Sequence, residues 1–151
     1  MQAKYRVRRV RLPDLPRILE IERAGFGKWA WDRNLFAEYT HTCGEHFLVA
    51  EEGGKVVGYA IACLERGMAS LDSIAVAPEA RGKGAAARLL ASLVRRLKRR
   101  GVARLALMVK VTNRRARAFY ERHGFRRVRQ VARYYEDGQD GVLYHLDLAV
   151  E

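Results

Sequence analysis

A chain of 151 residues, 49% of them hydrophobic, can bury the core of one domain, expected to span residues 1–151. No apolar run approaches the roughly eighteen residues of a membrane-spanning helix. The N-terminus, Met1-Gln-Ala-Lys-Tyr-Arg-Val7, lacks the apolar segment of a secretion signal, so the expected location is the cytoplasm and no membrane partner is expected. The 29 Lys and Arg against 17 Asp and Glu give a formal charge of +12, which attracts anions and disfavours cationic ligands such as polyamines.

Tyr5 to Val10 alternates and suits a first strand. Pro13-Asp14 opens a helix through about Arg23, with Leu15, Ile18, Leu19 and Glu22 on successive turns. Phe26 to Trp31 reads as an aromatic loop, after which Asp32 caps a short helix to Tyr39. Phe36 is expected in the core. Trp29 and Trp31 fit either the core or the wall of an acceptor groove. Cys43 and Cys63 have neither metal-ligand spacing nor a matching set of histidines; both are expected to be reduced structural thiols, and no metal site is expected.

His46 to Glu51 and Lys55 to Leu64 form a hairpin about Glu52-Gly53-Gly54. The next strand, Leu71 to Val76, breaks at Pro78 and passes through Arg81-Gly-Lys-Gly84 into a long helix with its apolar stripe at Leu89, Leu90, Leu93, Val94 and Leu97. A strand that enters a helix through glycines leaves the first helical N–H groups unpaired at the positive end of the macrodipole. With Arg81 and Lys83 beside them, this is a phosphate-binding turn. Gly82-x-Gly84-x-x-Ala87 fits the dinucleotide fingerprint only formally, because no acid for a ribose stands between Ala80 and Tyr120. The same interval holds thirteen basic residues. A phosphate ligand accounts for part of that charge, and the remainder reads first as a solvated Arg-rich face. No interleaved aromatics form a stacking platform for single strands, although direct binding of nucleic acid stays open.

Gly101 ends the long helix after Lys98-Arg99-Arg100. Ala103 to Val109 is the next strand, and Asn113 starts a helix through Arg122 that Gly124-Phe125 terminates. Strands at Arg126 to Arg133 and Val142 to Val150 flank a turn at Asp137-Gly138. The order β-α-α-β-β-β-α-β-α-β-β belongs to an α/β (α+β) domain with a mixed sheet covered by helices.

Arg81-x-x-Gly84-x-Ala86 after Val76-Ala-Pro resembles the coenzyme A loop of the GNAT acetyltransferase superfamily. Asn113 to Phe125 is similar to the superfamily's Asn-x-x-Ala-x-x-x-Tyr-x-x-x-Gly-Phe segment. Tyr134-Tyr135-x-Asp137-Gly138-x-Asp140 resembles the hairpin of its protein N-terminal branch, which includes the ribosomal-protein alanine N-acetyltransferases. The resemblance covers about Leu71 to Leu148. It implies a mostly antiparallel sheet of about seven strands, splayed at its centre and flanked by four helices. It implies acetyl-CoA as cofactor, held by the backbone of Ile74, Ala75 and Val76, by Arg81, Gly82, Lys83, Gly84, Ala85, Ala86 and Ala87, and by Asn113. Tyr120 matches the phenol that protonates the departing thiol, and the acceptor implied is a protein or peptide N-terminus, ribosomal proteins among them. Tyr134 and Tyr135 fit either the acceptor's entry, binding its first residues, or ordinary cross-strand packing.

One position departs from the pattern. Where the ribosomal-protein enzymes carry a glutamate base, this chain has Met108, which takes no proton. The replacement considered first is Asp72, with Glu22, His46, His123 and Glu136 behind it. An α-amine titrates at about 7.7–8.0 and a lysine at about 10.4, so near pH 7.2 roughly a fifth of the former is neutral and under ~0.1% of the latter. Loss of a base therefore favours an α-amine acceptor. The alternatives are a small-molecule amine as acceptor, or an acetyl-CoA-binding module with weakened catalysis that docks on RNA or the ribosome.

Overall fold

The computed structural model describes residues 4–148. Its elements are β1 (Arg6–Arg9), α1 (Leu15–Phe26), α2 (Arg33–Thr42), β2 (Phe47–Glu52), β3 (Lys55–Glu65), β4 (Met68–Val76), α3 (Ala85–Arg99), β5 (Arg104–Lys110), α4 (Arg114–Arg122), β6 (Arg126–Val131) and β7 (Gly141–Asp147). The expected order holds throughout. Among the described residues no helix is long and apolar enough to cross a membrane.

Local chemistry sets the boundaries. The Asp32 carboxylate accepts from the Leu35 amide (2.9 Å), the expected cap, and the Asn113 side chain accepts from the amide of Ala116 (3.1 Å), capping the helix it was expected to start. Helix α1 runs past Arg23 and stops at Gly27, where φ is 55°. Helix α2 outlasts Tyr39 by one turn. Gly53 and Gly54 take φ of 60° and 82°, the consecutive positive values of a two-residue hairpin turn. Ala149 and Val150, at the end of the expected last strand, lie outside the described residues.

The seven strands form one sheet in the order β1-β2-β3-β4-β5-β7-β6, and every neighbouring pair is antiparallel except β4 and β5. Side-chain alternation sends each strand's apolar residues to two cores. Phe47 and Val49 of β2 join Leu15, Ile18, Phe36 and Tyr59 beneath α1 and α2. Leu48 and Ala50 join Leu89, Leu93, Leu97 and Tyr120 beneath α3 and α4. The expectation for Phe36 holds: it is fully buried.

The cysteine reading is corrected. Cys43 and Cys63 form a disulfide, with Cα atoms 5.3 Å apart and a sequence separation of 20. The extra turn of α2 carries Cys43 onto the outer half of β3, a tertiary juxtaposition that residue spacing does not encode.

Candidate active site

The parallel ladder between β4 and β5 is three residues long. Met68, Ala69 and Ser70 pair with Arg104, Leu105 and Ala106, and no pairing follows, although β4 continues to Val76 and β5 to Lys110. The other edge of β4 remains laddered to β3 as far as Val76 opposite Gly58. A Cβ at Gly58 would stand 3.0 Å from the Ala75 carbonyl oxygen and 3.2 Å from Leu89, so β4 and α3 seat closely only on glycine here. The divergence opens a cleft comprising two cavities of about 640 Å³ each.

One cavity lies over the start of α3. It is lined by Ile74, Ala75, Val76, Arg81, Gly82, Gly84, Ala85, Ala86, Ala87 and Asn113. Gly82 and Gly84 have φ of 76° and 95°, and a Cβ on either would meet no atom within 4 Å, so the loop stands open above them. Among the described residues the N–H groups of 82–87 make no hydrogen bond. Six free amides at a helix N-terminus fit a diphosphate. Arg81 Nε donates to the Val76 carbonyl at 3.1 Å, which folds the guanidinium along the rim. Lys83 does not line the cavity; its carbonyl accepts from the Tyr5 hydroxyl at 3.2 Å. Arg115 and Arg122 also line the cavity, and sequence reasoning missed them. Their spacing of seven, two turns on one face of α4, was the available signal.

The other cavity is lined by Glu22, Phe26, Trp29, Trp31, Asp72, Ser73, Met108, Lys110, Tyr134, Tyr135, Glu136 and Asp137, among others. Trp31 stacks on Tyr39 with centroids 5.1 Å apart and also touches Phe36, so it serves both core and wall. Trp29 is 45% exposed and Tyr134 52%, both at the mouth. The Tyr134 and Tyr135 rings meet edge to face at 5.0 Å.

Tyr120 lines both cavities. Its ring packs between Phe119, Phe125 and Tyr144, it is 8% exposed, and burial pushes its hydroxyl up to about 12. Among the described residues that hydroxyl makes no hydrogen bond.

The β3–β4 ladder pairs Ile61 with Ser73 and Ala62 with Leu71, stepping over Asp72. Such a bulge re-aims side chains. The Asp72 oxygens accept from Tyr39 (3.0 Å) and Ser70 (2.6 Å). Burial is the main reason that the Tyr39 hydroxyl rises to about 12, followed by the Asp72 charge. Glu22 is 2% exposed; one oxygen accepts from the Tyr59 hydroxyl and the other from the Trp31 amide (2.9 Å). Burial drives its carboxyl above the ordinary range, against those two bonds. The Tyr59 hydroxyl also lies 3.0 Å from the Ser73 hydroxyl. His46 is buried near Arg9, Arg96 and Arg100 and lines neither cavity; desolvation lowers its pKa. His123 lines the cavity over the start of α3, with Nδ1 2.8 Å from the Phe119 carbonyl.

Comparison with known proteins accords with this geometry. Residues 15–125 match the model of the acetyltransferase (GNAT) family. The chain belongs to that family. Membership makes it an acetyltransferase with acetyl-CoA as donor. A GNAT relative in Methanocaldococcus jannaschii, an uncharacterized N-acetyltransferase, is 35% identical over 91% of this chain and 88% of its own. The putative ribosomal protein bS18-alanine N-acetyltransferase of Bacillus subtilis is 32% identical, with 95% of each chain covered. The crystal structure of the ribosomal-protein-S18-alanine N-acetyltransferase of Escherichia coli superposes with a TM-score of 0.85 at 30% identity, covering 97% of this chain and 96% of that one.

Proposed function

We propose that this GNAT protein transfers acetyl from acetyl-CoA to the N-terminal α-amine of a protein, with the N-terminal alanine of a ribosomal protein as the first candidate. The observation that carries the reading is the position of Tyr120 between an amide-lined cavity and an aromatic-walled one. Acetyl-CoA, when bound, supplies the acetyl thioester. The amides of 82–87 would hold its diphosphate, Arg81, Arg115 and Arg122 would add charge, and the edge of β4 turned towards β5 from Ile74 to Val76 would receive its pantetheine arm.

Tyr120 serves as the proton donor to the leaving sulfur. A hydroxyl held near 12 stays protonated at neutral pH, and among the described residues no acceptor engages it. Asp72, anchored by Tyr39 and Ser70, draws the acceptor ammonium into the cleft. Trp29, Tyr134 and Tyr135 clasp the first residues of the acceptor. The relatives' named substrates support a protein N-terminus over a small amine. The same reading puts the protein in the cytoplasm with its acceptors, where a disulfide such as Cys43–Cys63 is unusual outside hyperthermophiles.

The test is thiol release from acetyl-CoA with a peptide bearing a free N-terminal alanine, against the same peptide N-blocked with an internal lysine. Turnover of the free peptide is expected. Faster turnover of the blocked one would refute the reading.

A further inference from the structure

The cleft lacks a base at Met108, yet it contains one buried carboxylate joined to its wall by hydroxyls. We infer that Ser73, Tyr59 and Glu22 form a proton relay that relieves the acceptor ammonium of its proton, with Ser73 as the group in contact and Glu22 as the final acceptor. This rests on the amine-acetylation reading above.

The polarity of the chain follows from counting protons. Tyr59 has one hydroxyl proton, and it is donated to Glu22 Oε1. At Ser73, 3.0 Å away, Tyr59 can therefore only accept, so the Ser73 hydroxyl donates to it. Both bonds run towards the carboxylate, and the Ser73 oxygen keeps lone-pair capacity on the cleft that it lines. The second Glu22 oxygen is fixed by the Trp31 amide, which holds the acceptor end still. Asp72 has no such chain: its two partners, Tyr39 and Ser70, both donate to it.

The step balances without an external reagent. The ammonium N–H breaks as its proton passes to Ser73 Oγ, the Ser73 proton passes to Tyr59 Oη, and the Tyr59 proton to Glu22 Oε1. Ammonium and carboxylate become amine and carboxylic acid, and both hydroxyls are restored. Burial raises the Glu22 carboxyl and narrows its gap to an α-amine at about 7.7–8.0. The other charged groups on this cleft are Asp72 from β4, Lys110 from β5, and Glu136 and Asp137 from the loop between β6 and β7.

The experiment is the pH profile of kcat/KM on an N-terminal alanine peptide for the wild type and for Ser73→Ala, Tyr59→Phe, Glu22→Gln and Asp72→Asn. At pH 6.5 about one α-amine in twenty is neutral, so loss of the relay should cost about ten- to twentyfold there and little at pH 9, where the amine has lost its proton unaided. An arylamine acceptor, neutral across this range, should be acetylated equally by wild type and Ser73→Ala. Ser73→Ala removes one oxygen from a half-buried site and guards against loss of fold in the two buried variants. A loss of equal size at every pH overturns the relay, as does a pH-dependent loss confined to Asp72→Asn. A wild type inactive on every peptide but active on a small alkylamine refutes the N-terminal reading instead, and the same profiles on that amine then decide the relay.

Discussion

The Lys110 ammonium lies 2.7 Å from the Asp137 carboxylate, and the ion pair joins the end of β5 to the loop between β6 and β7. The same ammonium stands 5.6 Å from the Trp29 ring centroid and 5.3 Å from that of Tyr135. One cation thus gathers three segments at the mouth of the aromatic-walled cavity. Lys110→Met should raise KM for a peptide acceptor several-fold and leave kcat and the KM for acetyl-CoA nearly unchanged. Steady-state kinetics with each substrate varied checks this; a fall in kcat alone would remove Lys110 from acceptor binding.

Tyr120→Phe keeps the ring contacts with Phe119, Phe125 and Tyr144 and removes only the proton. It should lower kcat by about 10²–10⁴, the usual range for a general acid, with thermal stability little changed.

Burial raises the hydroxyls of Tyr39, Tyr120 and Tyr135 to about 12 each, above their ordinary value. Each therefore binds its proton more tightly in the folded chain than in the unfolded one. Their contribution is complete below about pH 10 and disappears as the pH climbs to about 12. Urea midpoints should accordingly be flat with respect to these groups between pH 7 and 9 and fall steeply above 10. Absorbance of phenolate should rise together with unfolding.

Gly84 holds φ at 95° at the mouth of the amide cradle. Gly84→Ala puts a side chain in the left-handed region, costing about 1–2 kcal/mol. The new methyl also projects into the open space assigned to the diphosphate. Calorimetry should show coenzyme A binding weakened by more than the loss in stability accounts for. An unchanged Kd would remove the loop from the donor site.

The Cys43–Cys63 bridge closes a loop of about twenty residues and should stabilise the fold by roughly 3 kcal/mol on the loop-entropy argument. Cys43→Ser and the reduced wild type should show the same loss, read as a downward shift in Tm. Alkylation before and after reduction, followed by mass measurement, counts the thiols directly.

Periodicity and capping were enough to order the helices and strands, because Asp32, Asn113, Gly53, Gly54 and Gly101 act within a few residues of themselves. The open turn before α3 was legible for the same reason: amides at a helix start are a local property. The aromatic-walled cavity was not. Tyr59 and Ser73 meet because β3 and β4 pair in one particular register, with a step over Asp72 that no alternation in the sequence announces. Lys110 looks like one more surface base until Trp29, eighty-one positions away, is folded against it. Cys43 and Cys63 met unforeseen for the same reason, through a helix that ran one turn longer than its apolar pattern implied.

The two halves of the cleft come from different stretches of chain. The turn over the start of α3 is continuous from Val76 to Ala87, whereas the aromatic wall of the other cavity is assembled from Trp29 and Trp31 and from Tyr134 to Asp137, with Phe26 shared by both cavities. On the proposed function, replacements at Trp29, Trp31 or the 134–137 segment would retune which amine is admitted and leave the turn that grips the acyl carrier intact. A scaffold wired in this way can exchange customers while keeping its currency.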